Sequence, residues 1–256
     1  MARQARAESE TGYYHIMTRG INKEKIYESD QEKENLLQYI KEKAQEIACV
    51  IVAYCIMDNH MHMIIQAEKH SLISMMRKVN ISYAMYYNQR HKRIGPVVQD
   101  RYKSENITDE KYLLGAIRYI HNNPVKANVV ERAEDYKWSS IREYQTDEII
   151  LVNRQAKEEI MGGFISKSDF KEFHQIEDDI SYLEIKEEAK ENKEKRAEKI
   201  MESYFEENGI TDISNFIKKD ELIMKLIMEG ISYRQIADLL SVNLNTIHKV
   251  NKKYRP

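Results

Sequence analysis

Residues 57–65, MDNHMHMII, place two histidines one residue apart inside a run that otherwise has the composition of a buried strand. Side chains at i and i+2 of a strand project from the same face. His60 and His62 therefore present two imidazoles side by side. Two neutral imidazole nitrogens, joined by an amide or carboxylate oxygen, make a site for a divalent cation with coordination positions left open. Such an ion can polarise a phosphodiester oxygen and orient the scissile bond. Two hydrogen-bonded structural histidines would show the same spacing, so the pair needs company.

That company is in RYIHNNP, where Tyr119 and Asn123 stand four apart and share a helix face. Tyrosine forms covalent intermediates, and a phosphotyrosine diester conserves the bond energy of the strand it breaks, so the strand can be rejoined without ATP. Tyr102, Tyr112 and the Tyr86–Tyr87 pair offer the same chemistry, and a core tyrosine on an amphipathic helix would look like Tyr119.

The elements that must position these groups alternate along the first part of the chain. Residues 12–20, GYYHIMTRG, read as a strand, and Asp30 is a cap for a helix through Ala48. A strand over Cys49–Met57 follows; Asp58-Asn59 has turn chemistry, and His60–Gln66 returns as the hairpin partner. Ser71 caps a second helix ending near Gly95-Pro96, and residues 100–107 form an edge strand. Thr108 or Asp109 opens a third helix, which must end by Pro124 because proline disfavours helix in the residue before it. The order β-α-β-β-α-β plus a helix predicts an α+β fold of the ferredoxin-like, split βαβ kind. Residues 1–145 make this domain, residues 146–208 a charged helical region, and residues 209–256 a small terminal domain. In the last, two helical segments joined by a short polar turn predict a helix-turn-helix, presenting Asn245, Thr246, His248 and Lys249 to duplex DNA. A helical hairpin used only for packing would have a similar apolar pattern.

Composition bounds the rest. The chain has 256 residues, 42% hydrophobic and 32% charged, as in globular rather than disordered proteins. Its first residues lack the apolar stretch of a signal peptide, and residues 47–57 are too short an apolar run to span a bilayer, so a cytoplasmic protein without membrane association is expected. Cys49 and Cys55 lie too far apart along one strand to bridge and should be buried thiols. The net charge of −2 excludes a uniformly basic nucleic-acid binder. Positive charge gathers locally instead, at Arg90, Lys92, Arg93, Arg101 and Lys103 and again at the C-terminus.

Several segments, taken in order, resemble the Y1-type HUH transposases of the IS200/IS605 kind, above all the REP-associated tyrosine transposases. They are YYHIMTRG, MDNHMHMII, NISYAMYYNQRHKRIGPVVQDRYKS, YLLGAIRYIHNNPVKANVV and DYKWSSIREY, together covering roughly residues 12–144. The resemblance implies that His60 and His62 bind Mg²⁺ or Mn²⁺, with Asn123 the third, side-chain oxygen ligand, and that Tyr119 is the nucleophile. It implies cleavage and rejoining of single-stranded DNA that carries hairpins of imperfect palindromes, through a 5′-phosphotyrosine, by a monomer or homodimer. Phosphates of that DNA are expected at Arg19 and the Arg90–Lys103 stretch, with Gln99 and Arg101 the polar residues most worth testing. Two other readings stay open: a domesticated, sequence-specific DNA-binding regulator with little or no catalysis, and a metal hydrolase unrelated to DNA, which would leave Tyr119 and the basic stretch unexplained.

Overall fold

Strand patterning in the first half of the chain resolves into one sheet. Tyr13–Arg19 (β1), Val50–Ile56 (β2), His60–Gln66 (β3) and Lys103–Asn106 (β4) pair antiparallel throughout, in the order β2-β3-β1-β4. The computed structural model describes residues 7–176, 182–183, 186–210 and 219–254. They fall into two compact units, Met1–Leu183 and Glu184–Pro256.

Register decides which side chains meet. His15 lies opposite Ile64, Met17 opposite His62, and Arg19 opposite His60. The two-residue period therefore gathers His15, Arg19, His60 and His62 on one face of the sheet. Tyr14, Ile16, Met61, Met63 and Ile65, on the opposite face, are buried in one core with residues from two long helices, Asp30–Ile47 (α1) and Lys69–Arg90 (α2).

The cap of α1 is Ser29, not Asp30. Its hydroxyl accepts the Glu32 N–H, and the Glu32 carboxylate accepts the Ser29 N–H, a reciprocal capping box that leaves Asp30 in the first turn. Likewise α2 begins at Lys69, two residues before Ser71, and stops at Arg90, short of Gly95-Pro96. Asp109 caps the third helix, Glu110–His121 (α3), by accepting from the Tyr112 N–H. That helix ends at Asn122, and a short one, Asn123–Lys126 (α4), starts at once with Pro124 in its first turn. There the missing proline N–H has no helical partner to lose.

The first unit continues through Ile141–Gln145 (α5), Arg154–Gly162 (α6) and Lys167–Phe173 (α7). Leu151, Val152, Ala156, Ile160 and Phe170 join the same core as the sheet. Two polar networks fasten this region. The buried Glu143 carboxylate accepts three backbone N–H groups, from Ile150, Leu151 and Val152, at 2.8–3.0 Å. A directional chain crosses the core as well. His174 Nδ1–H donates to Phe170 O, so its Nε2 accepts from His121 Nδ1–H, and His121 Nε2 accepts from the Ser140 hydroxyl, each at 2.8 Å. A proton added to His174 Nε2 would set two donors facing each other. Cys49 and Cys55 are buried free thiols.

The second unit contains Lys186–Asn208 (α8), Lys219–Met228 (α9), Tyr233–Leu240 (α10) and Leu244–Tyr254 (α11) around Tyr204, Leu222, Leu226, Ile236, Leu240, Ile247 and Val250. Ser232 and Gln235 form a capping box at the start of α10, and Ser241–Asn243 connect it to α11, with Ser241 in the left-handed region at φ 50°. No helix among the described residues is long and apolar enough to cross a membrane.

Candidate active site

The His60 and His62 rings stand 5.2 Å apart, centroid to centroid, and perpendicular to each other, both buried. Each has one nitrogen engaged by a neighbour. His60 Nδ1 donates to Asn59 Oδ1 at 2.6 Å, and His62 Nδ1 lies 3.0 Å from His15 Nε2. A bond donated by Nδ1, as from His60 to Asn59, fixes the tautomer whose Nε2 carries a lone pair; His62 has the same tautomer when His15 Nε2 is the acceptor. The His60 Nε2 lone pair points at Asn123 Oδ1, 3.4 Å away. Two acceptors face each other there, a gap that a cation would satisfy.

Burial holds these imidazoles neutral. It lowers His60 to about 4, an effect opposed by the Asn123 contact and reinforced by the Arg19 charge. Burial lowers His15 to about 3. His62 falls well below the ordinary histidine value, chiefly through burial and then through the nearby His60, His15, Lys103 and Lys126. A metal-bound imidazole must be neutral, and burial keeps both rings so, with His60 Nε2 and Asn123 Oδ1 bearing no proton where they face each other. Among the described residues, no three His, Cys, Asp or Glu side chains group as a metal site.

α3 brings Tyr119 to this face. Its ring is 5.6 Å from His62 and 5.9 Å from His15, both edge-on. The break at Asn122 turns the following residues back, so Lys126 Nζ sits 4.4 Å from the centre of the Tyr119 ring. Tyr182 packs on the other candidate tyrosines of α3, 5.3 Å from Tyr119 and 5.4 Å from Tyr112. Its hydroxyl occupies the space a side chain at Gly115 would need. Tyr119 is 7% exposed under this packing. By contrast Tyr86 and Tyr87 pack against Tyr83.

The family model described as transposase IS200-like matches residues 8–123, a span that contains His60, His62 and Tyr119 and ends on Asn123. Over this span the chain is similar to the IS200-like transposases. Two solved structures are similar to the chain. One is a REP-associated tyrosine transposase bound to a REP hairpin, with 18% identity, TM-score 0.47, and coverage of 56% of this chain and 84% of the other. The other is a protein of Deinococcus radiodurans R1 assigned as a transposase, with 15% identity, TM-score 0.33, and coverage of 48% and 95%. No curated protein matches the chain.

The basic residues of the matched span divide into two groups. Arg19 is buried and lies across from His60, Lys103 lies across Met17 from His62, and the backbone of exposed Gln99 bonds to Arg19 O. Arg101 is exposed in the same loop. The other group sits at the end of α2. Arg93 pairs with Glu24 at 2.7 Å and covers the Tyr87 ring, Arg90 approaches Glu32 at 3.8 Å, and Lys92 is exposed at φ 50°. Asn245, Thr246, His248 and Lys249 are exposed on α11 of the second unit. Sequence reasoning missed four residues at or beside the site: His15, Asn59, Lys126 and Tyr182.

Proposed function

We propose that this chain is a single-strand DNA endonuclease and strand transferase of the REP-associated tyrosine kind, acting on hairpin-bearing DNA. The observation that carries the reading is the convergence of Tyr119, His60, His62 and Asn123 on one face of the sheet. The sheet order β2-β3-β1-β4 is that of a ferredoxin-like split βαβ fold. His60, His62 and Asn123 would hold Mg²⁺ or Mn²⁺, which when bound polarises a phosphodiester oxygen. Tyr119 Oη attacks phosphorus, the P–O3′ bond breaks, the phenolic proton passes to solvent, and the products are a 5′-phosphotyrosine and a free 3′-hydroxyl. A 3′-hydroxyl from another strand attacks the same phosphorus and releases the tyrosine.

A hairpin oligonucleotide labelled 3′ to the cut tests this. In Mn²⁺ the label should appear on the protein in a denaturing gel and vanish with EDTA. His60→Ala and His62→Ala should raise the metal concentration required or end capture altogether. Capture by both variants equal to that of the wild type at every metal concentration would sink the site.

Lys126 gives a second test. An ammonium over the ring stabilises negative charge developing on the attacking oxygen. Lys126→Gln is expected to slow capture about tenfold, roughly 1.4 kcal/mol of barrier, with Lys126→Arg recovering most of the loss. Equal rates for all three proteins would leave Lys126 a packing residue.

A second reading, a DNA-binding regulator, draws on the exposed Asn245, Thr246, His248 and Lys249 of α11, the second helix of a helix-turn-helix. Sequence-specific duplex binding that depends on Asn245 and Lys249, without any covalent capture, would favour it.

A further inference from the structure

Beside the histidines lies a cleft of about 370 Å³ that the proposed chemistry does not use. It opens between the loop after β1, the β2–β3 turn, and the segment before α5. Three lysines and one aspartate line it: Lys23, Lys25, Lys33 and Asp58. Lys33 is 4% exposed and pairs with one Asp58 oxygen at 2.9 Å; Lys25 reaches the other oxygen at 3.6 Å, and Glu28 at the same distance. The aspartate is thus already engaged, and the lining keeps a cationic excess. Asn22 and Lys23 both adopt positive φ, 52° and 65°, which shapes the turn that carries the exposed Lys23 and Lys25.

The rest of the lining is largely apolar: Met57, Val129, the Tyr136 ring, whose hydroxyl donates to Ile56 O at 2.7 Å, and Trp138, which already holds cations near its ring, Lys137 Nζ at 4.4 Å and Lys33 Nζ at 5.9 Å. A cationic rim over an apolar wall suits a flat ring system attached to a phosphate. Asn59 lines the same cleft while its Oδ1 accepts from His60, so the cleft adjoins the candidate metal site through one side chain.

We propose that this cleft is a nucleotide subsite, holding one nucleotide of the single strand next to the scissile phosphate. Its phosphate lies against Lys23 and Lys25 and its base against the Met57, Val129 and Trp138 wall. The inference rests on the DNA reading above and adds a position at which the strand is gripped away from the reacting atoms.

Trp138 is the only tryptophan in the chain, so its fluorescence reports on this cleft alone. The full-length protein in EDTA, which binds without cutting, is titrated with a hairpin oligonucleotide carrying a single-stranded flank, with dTMP, and with inorganic phosphate. The oligonucleotide should change Trp138 emission saturably. An abasic residue at one flank position should remove that change and leave hairpin binding intact. Lys23→Gln/Lys25→Gln, at exposed positions that leave the melting temperature unchanged, should weaken the response about tenfold. The subsite is overturned if no abasic position matters, if the double variant titrates like the wild type, or if dTMP or phosphate saturates the signal as tightly as the oligonucleotide. The last result would mean a site for a free nucleotide or anion. Covalent capture without a Trp138 response defeats the subsite alone, whereas a response without capture keeps the subsite and defeats the catalytic reading.

Discussion

Tyr119→Phe is expected to reduce covalent capture and strand transfer by on the order of 10⁴-fold or more, the scale on which removing a nucleophile acts. It should leave single-strand affinity within about twofold, under roughly 0.5 kcal/mol. The substitution removes one oxygen and keeps the ring that packs on His62, His15 and Tyr182 beneath Lys126. Its structural cost is therefore small, about the 1 kcal/mol of a single hydrogen bond. Capture on a denaturing gel, anisotropy with the same labelled hairpin and a thermal melt separate these effects. Full capture by the variant would transfer the nucleophile to another residue, such as Tyr182, whose ring lies 5.3 Å from that of Tyr119. Loss of affinity in parallel with capture would make Tyr119 a structural residue.

The second large effect is acid sensitivity. Five histidines are buried and held neutral: His15, His60, His62, His121 and His174. Burial is the first cause in each, with the neighbouring His174 charge adding to the depression of His121 and the Phe170 carbonyl partly restoring His174, which stays at about 4. Below the ordinary histidine value of 6.5 the unfolded chain takes up protons that the folded chain refuses. The stability these rings contribute is complete above that value and drains away as pH falls toward 4. Each withheld proton is worth up to about 1.4 kcal/mol per pH unit. At pH 5 the five depressed rings act in the same direction, and together they take away a large part of the margin that a domain of this kind has at neutral pH. Urea melts of the metal-free protein at pH 7.5 and 5.0 should show the first unit marginal or unfolded at the lower value. His174→Gln keeps an acceptor opposite His121 and should lower proton uptake on unfolding by about one. Equal midpoints at both pH values would mean that the rings gain protons without penalty in the folded state.

What was legible in the sequence follows from how far each signal reaches. The β2–β3 hairpin could be read because alternation and the Asp58-Asn59 turn are local, and β3 begins and ends where its residues predict. His60 and His62 share a face by strand geometry alone. His15 does not announce itself, because its contact with His62 depends on how β1 and β3 align across 47 residues. Lys126 was hidden by the break at Asn122, which no helical periodicity carries across. Tyr182 comes from far along the chain and is tied to α3 only by the notch at Gly115. Helix starts moved by one or two residues because capping depends on reciprocal bonds, as between Ser29 and Glu32, rather than on residue type.

The alignment of β1 with β3 has an evolutionary corollary. The histidine face and the core face occupy alternate positions of the same two strands, so the chemistry and the stability of the domain are written in one reading frame. Adding or removing a single residue at Asp58-Asn59 would exchange the faces of β3 relative to its neighbours, turning Met61 and Met63 toward Tyr119 and two imidazoles toward the core. There is no half-functional intermediate along that route. A loop that carries neither face can change length without touching this alternation, whereas this hairpin cannot.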